Sequence, residues 1–84
     1  MLFEGEGCGL CARALALLES ESPRIGFRLR RVAIDGDEEL ERRYRIDLPV
    51  IVIDGEVAFT YAVGADALER AVRRAQAGRR DMGS

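Results

Sequence analysis

The sequence predicts a small α/β domain in which one mixed four-stranded sheet is flanked by three helices. Three observations predict it. A short apolar opening passes through a Gly-rich loop into a helical pattern that starts at the two cysteines. An alternating segment follows, separated from that opening by a helix of about a dozen residues, the length a parallel crossover needs. Further on, a β-branched run and a second alternating run are joined by Asp54-Gly55, a pair that favours a two-residue hairpin turn.

In chain order, Met1-Leu2-Phe3 is the expected strand β1, and Glu4-Gly5-Glu6-Gly7 is a tight polar loop. Cys11, Leu15 and Leu18 then recur at i, i+4 and i+7, the spacing of one face of an amphipathic helix, α1. Pro23 is expected to end α1, since it cannot continue the helical hydrogen bonding. Strand β2 is expected over Phe27–Ile34, with Phe27 and Leu29 on one face and Arg28 and Arg30 on the other. It should pair with β1 in parallel through a right-handed crossover. Asp35-Gly36-Asp37 is a turn whose last residue can cap a short helix, α2. Glu38 and Glu39 sit in its positive first turn, and Leu40 and Tyr44 lie on one face.

Ile46–Thr60 contains strands β3 and β4 around the Asp54-Gly55 turn, expected to be type I′; Pro49 falls at strand entry, where no ladder donor is needed. Gly64-Ala65-Asp66 opens α3, with Leu68, Ala71, Val72 and Ala75 facing inward and Arg70, Arg73 and Arg74 outward. Gly78 is the expected stop of that helix. The reading is therefore one domain over residues 1–77 and a polar tail over 78–84, in the order β1-α1-β2-α2-β3-β4-α3.

Composition removes several function classes. A chain of 84 residues has room for one domain and a modest core. With 48% hydrophobic and 33% charged residues it is too apolar for disorder and too interrupted for a membrane interior. Its longest strongly apolar run, Val50–Ile53, is far short of the ~20 residues of a bilayer span. No basic segment followed by a long apolar one opens the chain, so a cytoplasmic location is expected, with the thiols mostly reduced at rest. The net charge of −2 offers nucleic acid no global field. Every cation is arginine, and the clusters at Arg28–Arg31, Arg42–Arg45 and Arg73-Arg74 are interleaved with acids, as solvated faces are.

Chemistry concentrates at Cys8-Gly9-Leu10-Cys11, which holds both cysteines of the chain. The reactive species is the thiolate, whereas a free thiol with pKa near ~8.5 is mostly protonated at neutral pH. At the start of a helix, Cys8 faces unpaired backbone N–H groups and the positive end of the dipole, so it is the expected nucleophile. Cys11, nearly one turn on, is expected beneath that turn as the resolving thiol. Two bland or rival readings compete. The cysteines could be small core hydrophobes. Alternatively they could be half of a zinc site, which would need a dimer pooling two pairs or carboxylate ligands, because the chain has no His and no third Cys.

Nearly the whole chain, from Met1 to about Ala77, resembles the glutaredoxin-like branch of the thioredoxin fold, in particular small bacterial glutaredoxin-like proteins. The carrying motifs are Gly7-Cys8-Gly9-Leu10-Cys11, Leu48-Pro49-Val50 and Asp54-Gly55. The resemblance implies a thioredoxin-like, glutaredoxin-type sheet and a cis Leu48–Pro49 bond. It would place Pro49 against the Cys8 sulfur and leave the Leu48 backbone free to pair with an extended thiol substrate. It further implies that Gly64 and Asp66 belong to the helix start where glutathione's γ-glutamyl carboxylate is held. No bound cofactor is expected, and glutathione is a candidate co-substrate. Partners would be a disulfide-containing protein or glutathione, with no nucleic acid and no membrane, and the chain acting as a monomer.

Three carboxylates depart from that family pattern. Glu4 and Glu6 stand where a basic residue often precedes the first cysteine, and Asp47 adds a further anion, so local charge should oppose both a thiolate and anionic glutathione. Gly9-Leu10 supplies neither the proline nor the aromatic ring common between such cysteines. The function expected is thiol–disulfide oxidoreduction by Cys8 and Cys11. The alternative is a thioredoxin-fold binding module whose cysteines act as a redox-sensitive latch.

Overall fold

The structure, a computed structural model, describes residues 1–82. Its elements are β1 (Leu2–Glu4), α1 (Gly9–Ile25), β2 (Arg31–Ala33), α2 (Glu38–Tyr44), a 3-10 turn (Arg45–Asp47), β3 (Val50–Ile53), β4 (Glu56–Thr60) and α3 (Ala65–Met82). The four strands form one mixed sheet in the order β2-β1-β3-β4. β1 runs parallel to β2, with Phe3 opposite Val32, and antiparallel to β3, with Phe3 opposite Val50. β3 and β4 form an antiparallel hairpin whose register shifts between Ile51 and Val52. This is the thioredoxin-like α/β arrangement, with helices on both faces of the sheet.

Strand alternation divides the core in two. Leu2 and Ile51 point to one face, where they meet Ala14, Leu18 and Ile25 of α1 and Leu68 and Val72 of α3. Phe3 and Val50 point to the other face, where they pack with Ile34 and, less deeply, with Leu40 and Tyr44 of α2. The rings of Phe3 and Tyr44 stack with centroids 4.4 Å apart. Such stacked pairs add about 0.5–1.5 kcal/mol beyond the area they bury. The sequence periodicities thus place α1 and α3 together on one side and α2 alone on the other.

Local signals explain most boundaries. Asp37 caps α2, its side chain accepting from the Glu39 and Leu40 amides at 3.1 Å each. Asp54 and Gly55 both have positive φ, at 55° and 84°, as a type I′ turn requires. No helix among the described residues is long and apolar enough to cross a membrane.

Three expectations are corrected. Pro23 lies inside α1, which continues to Ile25. The proline removes one amide in the last turn, and the carbonyl it leaves free belongs to Glu19, an exposed residue. Gly26 in the left-handed conformation (φ 87°) then ends the helix, its amide donating to the Ser22 carbonyl at 2.8 Å. β2 is shorter than its alternating pattern: its partner β1 has only three residues, so the ladder stops there, while Phe27 and Leu29 still pack against the larger core. Gly78 does not stop α3, which runs on to Met82. A glycine lowers helix propensity by about 1 kcal/mol, which is a penalty and not a terminator unless the chain turns there. Of the tail expected over 78–84, residues 83–84 lie outside the described residues.

Candidate functional site

β1 leaves the sheet at Glu4 and delivers the chain to Cys8 in four residues. Gly7 makes the final bend at φ 71°, a left-handed conformation that most side chains resist. Cys8 is then the N-cap of α1, with extended backbone (φ −94°, ψ 101°) and its side chain accepting from the Cys11 amide at 3.1 Å. A cap of this kind is normally an oxygen, and here the sulfur takes its place.

Cys8 and Cys11 are joined as a disulfide with Cα atoms 5.2 Å apart. Their environments differ: Cys8 is half-buried, whereas Cys11 is 2% exposed and roofed by the first turn. Of the two, only Cys8 is appreciably open to solvent. The first turn of α1 contains no acidic side chain, so the amide field of a 17-residue helix converges on Cys8 without an internal counter-charge. Among the described residues no group of three or more His, Cys, Asp or Glu side chains is placed to hold a metal ion.

The approach to β3 closes on this loop. A Cβ placed on Gly5 would lie 2.8 Å from Cδ1 of Leu48, so the Leu48 side chain packs directly over the loop that leads to Cys8. Pro49 follows, fully buried, and the Leu48–Pro49 peptide bond is cis. The Pro49 carbonyl accepts from the Tyr61 amide at 3.1 Å, which anchors the strand entry to the end of β4. Tyr61 itself has φ 67° and donates its hydroxyl to Asp47 at 3.0 Å, and the carboxylate raises the phenol pKa by stabilising the protonated form.

The acidic residues singled out in the sequence have different fates. Glu4 accepts two bonds from Arg31 on the neighbouring strand, at 2.7 and 3.2 Å, so its charge is matched across β1 and β2. Asp47 is engaged by Tyr61. Glu6 is exposed, and its backbone amide donates to Asp35 at 2.9 Å. Gly64 and Asp66 are exposed at the start of α3, where the Gly64 carbonyl accepts from the Leu68 amide at 3.0 Å. Among the described residues no hydrogen bond or ion pair connects either of them to the cysteines.

The structure thus brings Cys8 and Cys11 into bonding contact and packs Leu48 over their loop. It also shows residues that sequence reasoning passed over: Asp35, read only as part of a turn; Arg45, read as solvated charge; and Tyr61. Asp35 lies below the usual carboxylate range because it accepts the Glu6 amide and then the Arg45 guanidinium. One signal was available, since Asp35 lies just past the C-terminal end of a strand parallel to β1 and so emerges at the same end of the sheet as the cysteine loop.

Comparison with known proteins agrees with this geometry. A family model described as Glutaredoxin-like domain (DUF836) matches residues 1–73, from β1 into α3. No curated protein matches the chain.

Proposed function

The chain belongs to the glutaredoxin-like domain family, and from that premise we propose that it is a thiol–disulfide oxidoreductase acting through Cys8 and Cys11. The observation that carries the reading is the asymmetry of the pair: a reachable sulfur at the N-cap of α1, accepting the Cys11 amide at 3.1 Å, bonded to a sulfur buried beneath it. An amide aimed at sulfur favours the anion over the thiol, and the helix terminus adds to that preference.

The bonded pair is the oxidised end of the cycle. In the reduced protein, the Cys8 thiolate attacks one sulfur of a substrate disulfide and expels the other as a thiolate, forming a mixed disulfide. Cys11, deprotonated, then attacks the Cys8 sulfur, releases the second substrate thiolate and closes the Cys8–Cys11 bond. Two electrons pass from the dithiol to the substrate. An external dithiol, or two equivalents of glutathione, restores the reduced state.

The exposed acids favour a protein disulfide over glutathione as substrate. Glu6 and Asp66 are both exposed, and Asp66 sits in the first turn of α3, where it opposes a second carboxylate. Leu48, partly exposed ahead of the buried Pro49, would line the path of an extended segment entering beside Cys8. Cys8→Ser is expected to abolish reduction of a protein disulfide, and Cys11→Ser to accumulate the mixed disulfide. The assay compares a protein disulfide with a glutathione mixed disulfide, each regenerated by glutathione and by a thioredoxin reductase system. Equal residual turnover in the two variants contradicts the assigned roles. A dithiol that exchanges with neither substrate leaves only the binding-module reading.

A further inference from the structure

We propose that Asp35 is a positioning residue for Cys8, a carboxylate clasp that ties the loop carrying Cys8 to the turn that leads into Pro49. The two oxygens work in different directions. Oδ2 accepts the Glu6 amide at 2.9 Å, and Oδ1 accepts Arg45 Nη2 at 3.1 Å. Glu6 is separated from Cys8 by Gly7 alone. Fixing the Glu6 amide therefore leaves only the Glu6 and Gly7 dihedrals between a held peptide plane and the nucleophile.

The clasp is itself held firmly. Ile34, fully buried, donates its amide to the Glu4 carbonyl at 2.9 Å and accepts the Asp37 amide at 3.1 Å, so the backbone beside Asp35 is pinned. Arg45 also contacts Glu41 one turn earlier on α2. Upstream of Cys8 the loop contains Gly5 and Gly7 and is held by Asp35 and by the Leu48 side chain over Gly5, while Cys8 itself is tied to α1 through the Cys11 amide on its sulfur and the Ala12 amide on its carbonyl. Without Asp35, two glycines flank a Glu6 whose amide has lost its acceptor, and the loop that borders the Cys8 sulfur is freed while the helix end stays in place.

The charge arrangement fits this role. A carboxylate near a nascent thiolate is normally unfavourable, but Arg45 matches Asp35, as Arg31 matches Glu4. Arg45, shared with Glu41, offsets part of the charge that Asp35 brings to the loop. Its depressed pKa, caused by the Glu6 amide and Arg45, keeps it in the accepting form through neutral pH.

The proposal rests on Cys8 as the nucleophile, and its test separates the two. Reduced wild type, Asp35→Ala, Asp35→Asn, Arg45→Ala and the Asp35→Ala/Arg45→Ala double variant are compared well below their melting temperatures. Two readouts are the rate with 5,5′-dithiobis(2-nitrobenzoate) and the pH profile of Cys8 alkylation by iodoacetamide. Asp35→Ala is expected to lose about tenfold in rate, the scale set by a small misplacement of a reacting group, and to shift the alkylation profile. Asp35→Asn, which keeps an acceptor for the Glu6 amide, should stay within about threefold of wild type. The double variant should be no slower than Asp35→Ala, because both changes open the same clasp. Wild-type rate and profile in Asp35→Ala, even with a lowered melting temperature, would overturn the proposal, as would additive losses in the double variant. If wild type reduces no protein disulfide yet Asp35→Ala still shifts the alkylation profile, the oxidoreductase reading fails and the clasp stands.

Discussion

Among the described residues, Leu68 is the most deeply buried side chain of α3. It is 1% exposed, and with Val72 it forms the buried part of α3 among the described residues, against Leu2, Leu18 and Ile51. Replacing it with alanine cuts its isobutyl side chain back to a methyl at a position packed between α1 and the sheet. Leu→Ala at such sites costs about 3 kcal/mol, the transfer loss plus the residual cavity. A domain of 84 residues is stable by roughly 4–13 kcal/mol, so a quarter or more of the total is at stake. With an unfolding entropy of about 0.18 kcal/mol/K for this length, the melting temperature should fall by about 17 °C. Thermal unfolding followed by far-UV circular dichroism measures it, with Ile46→Ala as the control. Ile46 is 82% exposed, and its truncation should change stability by no more than about 0.5 kcal/mol. A Leu68→Ala shift below about 5 °C, or one matched by Ile46→Ala, would refute the assignment of α3's attachment to that buried contact.

Two other outcomes follow from the geometry. Asp37→Ala removes the acceptor of two α2 amides and should cost about 1 kcal/mol, or about 6 °C in melting temperature, whereas Asp37→Ser should recover most of it. Asp35 and Glu69 both have carboxyl pKa values lowered in the fold, Asp35 chiefly by the Glu6 amide and Glu69 chiefly by Arg73 and Arg24. Lowered values mean that their stabilisation is present above the unfolded carboxylate range and is lost as pH falls through the folded values. The melting temperature should therefore drop below about pH 4. The Asp35→Asn/Glu69→Gln double variant should flatten that acid limb, and high salt should shrink the difference; an unchanged limb would show that other carboxylates control acid unfolding.

Elements whose cause is local were legible in the sequence. The Asp54-Gly55 turn, the Asp37 cap and the cysteine pair at a helix start each depend on residues within one turn of one another. Pro23 misled because the balance at a helix end includes the residues beyond it: Gly26 offers a better stop three residues later, and Ser22 receives both the Gly26 and Phe27 amides. Gly78 misled for the opposite reason, since nothing local forces the chain to leave the helix there. The extent of β2 was illegible because it is set by the length of β1, a partner far away in the chain. The same applies to the site. Cys8 and Cys11 announce themselves by spacing, but Asp35 reaches Glu6 across 29 positions and Arg45 across 10, and the contact of Leu48 with Gly5 exists only once the sheet is assembled.

The central place of β1 has a consequence for the cysteine loop. Both of its neighbours are distant in sequence, Arg31 on one side and Ile51 on the other facing the same Leu2. The hairpin of β3 and β4 is the sheet's one pairing between nearby segments, and it forms without long-range closure. The loop that carries Cys8 leaves the sheet from β1, so its placement depends on two long-range pairings that the hairpin alone does not supply. Removing β3 would leave Leu2 and Phe3 without their antiparallel partners Ile51 and Val50, and the loop that leads to Cys8 without a complete sheet to hang from.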